Sequence, residues 1–155
     1  TSLGGGFGPG TSKISSITQR RYALPDEPAF ESLREITRFS TQTNMKYMKI
    51  GDEGAEQLAL ALQHDEIVTN VSLAGARITS IGMTIFATHM PDMKSLRHLD
   101  LGNNAICDQG ANALAAALPY CVLLEQCNLL GNRVTVVGAV RLIQAVFVSP
   151  LHWLW

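Results

Sequence analysis

Gly54, Gly82, Gly110 and Gly138 recur at one constant interval, and each sits in the same apolar frame. Four residues before them lie Ile50, Ile78, Ile106 and Val134; four after lie Leu58, Phe86, Leu114 and Leu142. Eight residues after come Leu62, Met90, Leu118 and Val146. Upstream, the same ruler finds Val71 and Leu73, Leu99 and Leu101, Cys127 and Leu129, with a weaker Thr43 and Met45 in the first unit. A fixed period in this range specifies a solenoid, because one such unit cannot bury its own apolar face and must stack on its neighbours.

Each period divides into two halves. In Leu99-Asp100-Leu101 apolar and polar residues alternate, as in a strand with one buried face. The frame predicts four parallel strands near 43–46, 71–74, 99–102 and 127–130. After each glycine the apolar spacing changes to every third and fourth position, and in the third unit Ala111, Ala113, Ala115, Ala116 and Ala117 add strong helix formers. Asp52, Ser80 and Asp108 share one repeat position just before these stripes, where an oxygen-bearing side chain is expected to cap the helix; Val136 holds that position in the fourth unit, with Thr135 the expected substitute. Glycine inside a helix costs about 1 kcal/mol relative to alanine, so four in register imply a packing requirement, read here as close approach of helix to strand.

The best-kept unit, LRHLDLGNNAICDQGANALAAAL from Leu96 to Leu118, fits an L-x-x-L-x-L-x-x-N-x-L frame through Leu96, Leu99, Leu101, Asn104 and Ile106. The next, from Leu124, keeps Asn132 and places Cys127 at the second leucine. This resembles a leucine-rich repeat, and the 28-residue length with its G-x-x-x-L-x-x-x-L second half is similar to the ribonuclease-inhibitor-like, helix-bearing subtype. The resemblance spans residues 40–146, in units starting at 40, 68, 96 and 124. It implies an α/β fold: a short solenoid of about four repeats, with parallel strands on the concave side and helices on the convex side. In that family the asparagine side chain bonds to backbone groups in the turn after the strand. Met48 and Ala76 occupy this position in the first two units, which are therefore expected to be less regular than the last two. Ribonuclease inhibitors themselves are longer and cysteine-rich, so the resemblance is to the repeat and not to that activity.

Residues 1–24 begin TSLGGGFGPGTS, too rich in glycine and too poor in apolar residues for a packed element, and read as a flexible extension. That glycine run also lacks the G-K-[ST] ending and the flanking strand and helix of a phosphate loop. Over 25–39, Phe30, Leu33, Ile36 and Phe39 recur at three-residue spacing after Asp26 and Pro28, which predicts a helix capping the first unit. The 147–155 tail is apolar almost throughout, whereas a terminal cap should turn a polar face outward. It is read as a docking surface carried by Phe147, Leu151, Trp153 and Trp155.

Composition narrows the function classes. With 12 basic and 13 acidic residues the net charge is −1, which favours neither nucleic acid nor an anionic membrane. No apolar run reaches the roughly 18 residues that mark a membrane span, so no transmembrane segment is expected. Cys107, Cys121 and Cys127 are an odd set without metal-ligand spacing; they are expected to be reduced, with Cys127 a small buried hydrophobe. That usage fits an intracellular, reducing compartment, cytoplasm or mitochondrial matrix, the latter compatible with the absence of any acidic residue before Asp26. The first residue is Thr1 and not Met, which reads as a processed chain or a fragment.

His98 and Asp100 lie two apart on one expected strand, and Ser72 lies one full repeat before Asp100, hence beside it. A hydrolase triad built from these three would have its serine against the carboxylate instead of the histidine, on an open face without oxyanion donors. They read better as part of a polar, partner-binding concave face with Asn70, Arg97, Glu125, Gln126 and Asn128. The expected function is a non-enzymatic protein–protein interaction module, a scaffold or accessory subunit of a larger assembly, with no cofactor, metal or small-molecule substrate. A regulator of an enzyme, of the GTPase-activating type, and a fragment of a repeat-containing sensor are the alternative readings.

Overall fold

The computed structural model describes residues 41–155. The extension expected over 1–24 and the capping helix expected over 25–39 lie outside the described residues. Among the described residues five strands and four helices alternate: β1 (Gln42–Asn44), α1 (Gly51–Leu62), β2 (Asn70–Ser72), α2 (Ser80–His89), β3 (His98–Asp100), α3 (Asp108–Ala117), β4 (Gln126–Asn128), α4 (Val136–Val146) and β5 (Trp153–Leu154). All strands run parallel in the order β1-β2-β3-β4-β5, so each unit packs only on the one before and the one after. The register follows the sequence ruler, Thr43 against Val71, Leu99 and Cys127. Short 3₁₀ turns containing Pro91 and Pro119 end α2 and α3, because proline supplies no amide to continue the ladder.

The core lies between sheet and helices. Leu73 and Leu101 are fully buried, and with Leu129 they form the expected row. Leu58, Phe86, Leu114 and Leu142 close it from the helix side. The strands begin one residue earlier and end two earlier than expected. In β1, β3 and β4 the last strand residue turns the chain out of the sheet: Asn44, Asp100 and Asn128 each accept a hydrogen bond from the amide two residues on, at 3.0, 3.0 and 2.9 Å, whereas Ser72 at the end of β2 donates to Asp100 instead. Inter-unit backbone bonds nonetheless continue past the strands, from Leu73 N–H to the Asp100 carbonyl and from Leu101 N–H to that of Asn128.

Asp52, Ser80 and Asp108 do not cap their own helices. The N-cap residues are Ile50, Thr79, Cys107 and Thr135, and only the two threonines accept an amide of their own helix, from Ile81 and Val137. The expected capping residues act one unit further along. Asp52 accepts the amide and hydroxyl of Thr79 at 2.7 and 2.6 Å, and Asp108 those of Thr135 at 2.7 and 2.6 Å. Ser80 accepts the Cys107 amide at 2.9 Å. Gly82, Gly110 and Gly138 likewise lie against the preceding helix and not a strand, whereas Gly54 faces Ile50 of its own unit. A Cβ on Gly82 would stand 2.8 Å from the Asp52 Cα, and one on Gly110 would stand 3.2 Å from the Ser80 Cα.

The asparagines also reach across units. Asn104 donates to the Leu101 carbonyl of its own turn and the Leu73 carbonyl of the preceding one, both at 2.9 Å, and accepts the Ile78 amide. Asn132 repeats this with Leu129, Leu101 and Ile106. Ala76 therefore deprives the first unit, not its own. There Ile50 N–H turns to the Met48 carbonyl, Ile50 is helical instead of extended, and Gly51 takes a positive φ of 62°. The second unit is regular because Asn104 supplies it, which corrects the expectation that both early units are irregular.

Candidate protein-binding face

Alternation along each strand divides the residues between core and outer face. The register stacks Asn70, His98, Gln126 and Trp153 in one outward column, and Asn44, Ser72, Asp100 and Asn128 in the next. The middle residue of each of β1 to β4 is buried, while the outward residues of β2 to β4 are half-buried. Together they line an open groove of about 330 Å³ that extends to Trp155.

Asp100 anchors the centre. One carboxylate oxygen accepts from the Asn128 amide group at 2.8 Å and from the Gly102 N–H at 3.0 Å; the other accepts from the Ser72 hydroxyl at 3.2 Å. Ser72 thus bonds to the carboxylate and not to His98, and the three groups do not form a relay. Asn70 accepts from Thr69 at 2.8 Å. Arg97 and Glu125 pair in the flanking column; both side chains are more than a third exposed, so the pair is worth little to stability. His98 and Gln126 side chains have no hydrogen-bond partner among the described residues, leaving their polar atoms available to a ligand on the groove.

The tail adds a strand to this sheet. Trp153 pairs with Gln126 and Leu154 with Cys127, and Leu129 N–H donates to the Trp155 carbonyl. Leu151 turns inward and is 5% exposed, so it belongs to the core and not to a docking surface. Its position matches Leu96 and Leu124, the first leucine of the two preceding units. Trp153 and Trp155 stay exposed, their rings edge-to-face with centroids 6.0 Å apart. Phe147 is 85% exposed at the end of α4, on the helix side of the molecule. The residues assigned to the tail therefore separate into a core leucine, a helix-side phenylalanine and a tryptophan pair that continues the sheet face. Periodicity missed this continuity because the last step, from Gln126 to Trp153, is one position shorter than the others.

All three cysteines are unpaired. Burial pushes the thiols of Cys121 and Cys127 up to about 12. Cys107 is exposed, and its pKa is lowered, first by the Ser80 hydroxyl and then by the Gln109 amide. Among the described residues, no His, Cys, Asp and Glu side chains group as metal ligands, and no helix is long and apolar enough to cross a membrane.

Residues 92–115 match the family model described as Leucine Rich repeat. Mouse ribonuclease inhibitor is 32% identical over 101 residues, covering 63% of this chain and 22% of that protein. Mouse NACHT, LRR and PYD domains-containing protein 14 is 35% identical over 77 residues, covering 48% of this chain and 8% of that protein. The chain thus spans less than a quarter of the length of either curated relative. Among solved structures, leiomodin-1 actin-binding site 2 superposes with a TM-score of 0.71 at 18% identity, over 81% of this chain and 75% of that one. The tropomodulin C-terminal domain of Caenorhabditis elegans gives a TM-score of 0.66 at 19% identity, over 82% and 81%. At such identities these likenesses establish the fold. Repeat frame, inter-unit asparagines, family match and relatives agree: the chain is a leucine-rich-repeat protein of the ribonuclease-inhibitor-like, helix-bearing type.

Proposed function

We propose that this leucine-rich-repeat chain is a non-enzymatic protein-interaction module that grips a protein partner along the outer sheet face, from Asn70 to Trp155. Within an assembly it would serve as a scaffold or accessory subunit. The observation that carries the reading is the continuity of that face. Polar groups without hydrogen-bond partners among the described residues, on His98 and Gln126, run into an exposed tryptophan pair, a combination of hydrogen-bonding groups and aromatic anchors suited to a protein interface. Asp100 and its three donors form a rigid floor that need not reorganise on binding. The unpaired cysteines support an intracellular, reducing location.

The test is affinity capture from cells that express the chain, with wild type beside two triple variants. One carries His98→Ala, Gln126→Ala and Trp155→Ala on the sheet face; the other carries Glu53→Ala, Gln109→Ala and Arg141→Ala on the helices. A partner held by wild type should be lost from the first and retained by the second, with both variants melting like wild type. Loss from the helix variant alone would move the site to the convex side.

A further inference from the structure

The stack is unevenly finished. Residues at equivalent repeat positions are buried inside it and uncovered beyond α4. Ile106 and Ala111 are fully buried, whereas their counterparts Val134 and Ala139 are half-buried. Gly102 is buried and Leu130, its counterpart, is 59% exposed.

Hydrogen bonds stop at the same boundary. The amides of Tyr47, Gly75 and Asn103 each donate to the carbonyl of the following unit, to Ala74, Gly102 and Leu130. Gly131 holds that position in the fourth unit, and its amide has no protein acceptor among the described residues. Ile78 and Ile106 amides are accepted by the next unit's asparagine; the Val134 amide has no such acceptor among the described residues. A hollow of about 310 Å³ lies here, walled by Leu129, Asn132, Val134, Ala139, Leu142 and Leu154.

We propose that this end face is an acceptor surface for one further helix-bearing leucine-rich repeat, joined in line after β5. The occupant is set by continuity with the interfaces inside the stack. It must offer a carbonyl to Gly131, an asparagine to Val134 and the Leu129 carbonyl, and a helix to cover Ala139. A flat apolar partner would leave both amides unpaired, and β5 already carries the strand direction and register of such a unit. This surface faces the end of the stack, so the proposal stands apart from the binding role of the sheet face.

The experiment extends the full chain after Trp155 with a copy of residues 101–123, which continues the frame set by Leu151 and Leu154. The extended chain should melt roughly 5 °C or more above the parent, gain helical signal, and slow amide exchange at Gly131 and Val134. The same extension with the copied Asn104→Ala should keep the Val134 amide in fast exchange. An unchanged melting temperature with a protease-sensitive extension would overturn the proposal. Concentration-dependent self-association of the parent chain that protects the same two amides would also overturn it, making the occupant a second copy.

Discussion

At the scale of single residues, side chains chosen for polarity bind the units to one another. Asp108 is the clearest case. Its carboxyl lies below the ordinary 3.8, chiefly because the Thr135 hydroxyl donates to it, then because the Thr135 amide does. A lowered pKa means that the folded state favours the carboxylate. The stabilisation is present above 3.8 and is lost as pH falls through the lowered value. Asp108→Asn should therefore melt below wild type at pH 7, with the gap closing on acidification below 3.8; thermal melts across that range check it. The thiols divide as sharply. At pH 8 one equivalent of a thiol reagent should enter quickly, at Cys107, and the other two only on unfolding, because Cys121 and Cys127 remain protonated and buried. Mass analysis without reductant should find no disulfide. Thr43 is a local fault: its hydroxyl is buried at a core position with no hydrogen-bond partner among the described residues. Thr43→Val should raise stability by about 1 kcal/mol in urea denaturation. The sequence shows Thr43 breaking the apolar frame. What it conceals is whether a neighbour satisfies the hydroxyl, which depends on atoms far along the chain.

At the scale of elements, period two and the three-and-four spacing locate each strand and helix, since burial on one face imposes those repeats. Their ends and caps were less legible. Asp52 and Asp108 carry the right chemistry for N-caps, yet their acceptors are aimed at Thr79 and Thr135 in the next unit. A local pattern cannot reveal a partner almost one repeat away unless that spacing is itself searched. The glycines follow the same logic. In an exposed helix Gly→Ala gains about 1 kcal/mol. Gly82→Ala should instead destabilise, by about 1–3 kcal/mol, because the new methyl would strike the backbone of α1 at Asp52. Gain of stability in Gly82→Ala would show that α1 and α2 are further apart than this packing requires.

At the scale of the whole molecule, a backbone carbonyl of the following unit completes each of the first three units, an asparagine does so for the second and third, and Asp52, Ser80 and Asp108 each tie on the next unit. Leu101, fully buried at the centre of the stack, should cost about 2–5 kcal/mol on truncation to alanine. A loss under about half a kcal/mol would place it outside the core. The same register that builds the core carries Asn70, His98, Gln126 and Trp153 into one column. The outward column of the sheet was legible over β2 to β4, where the repeat interval holds. Its tryptophan end was not, because the step to β5 is shorter and only the backbone pairing reveals it. Hydroxyl-radical footprinting of the chain, alone and with its captured partner, tests this account most directly. Protection is expected at His98, Trp153 and Trp155, recurring with the strand register, while Tyr120 and Phe147, away from that face, stay as reactive as in the free chain. Protection of Tyr120 and Phe147 with the two tryptophans unchanged would contradict it.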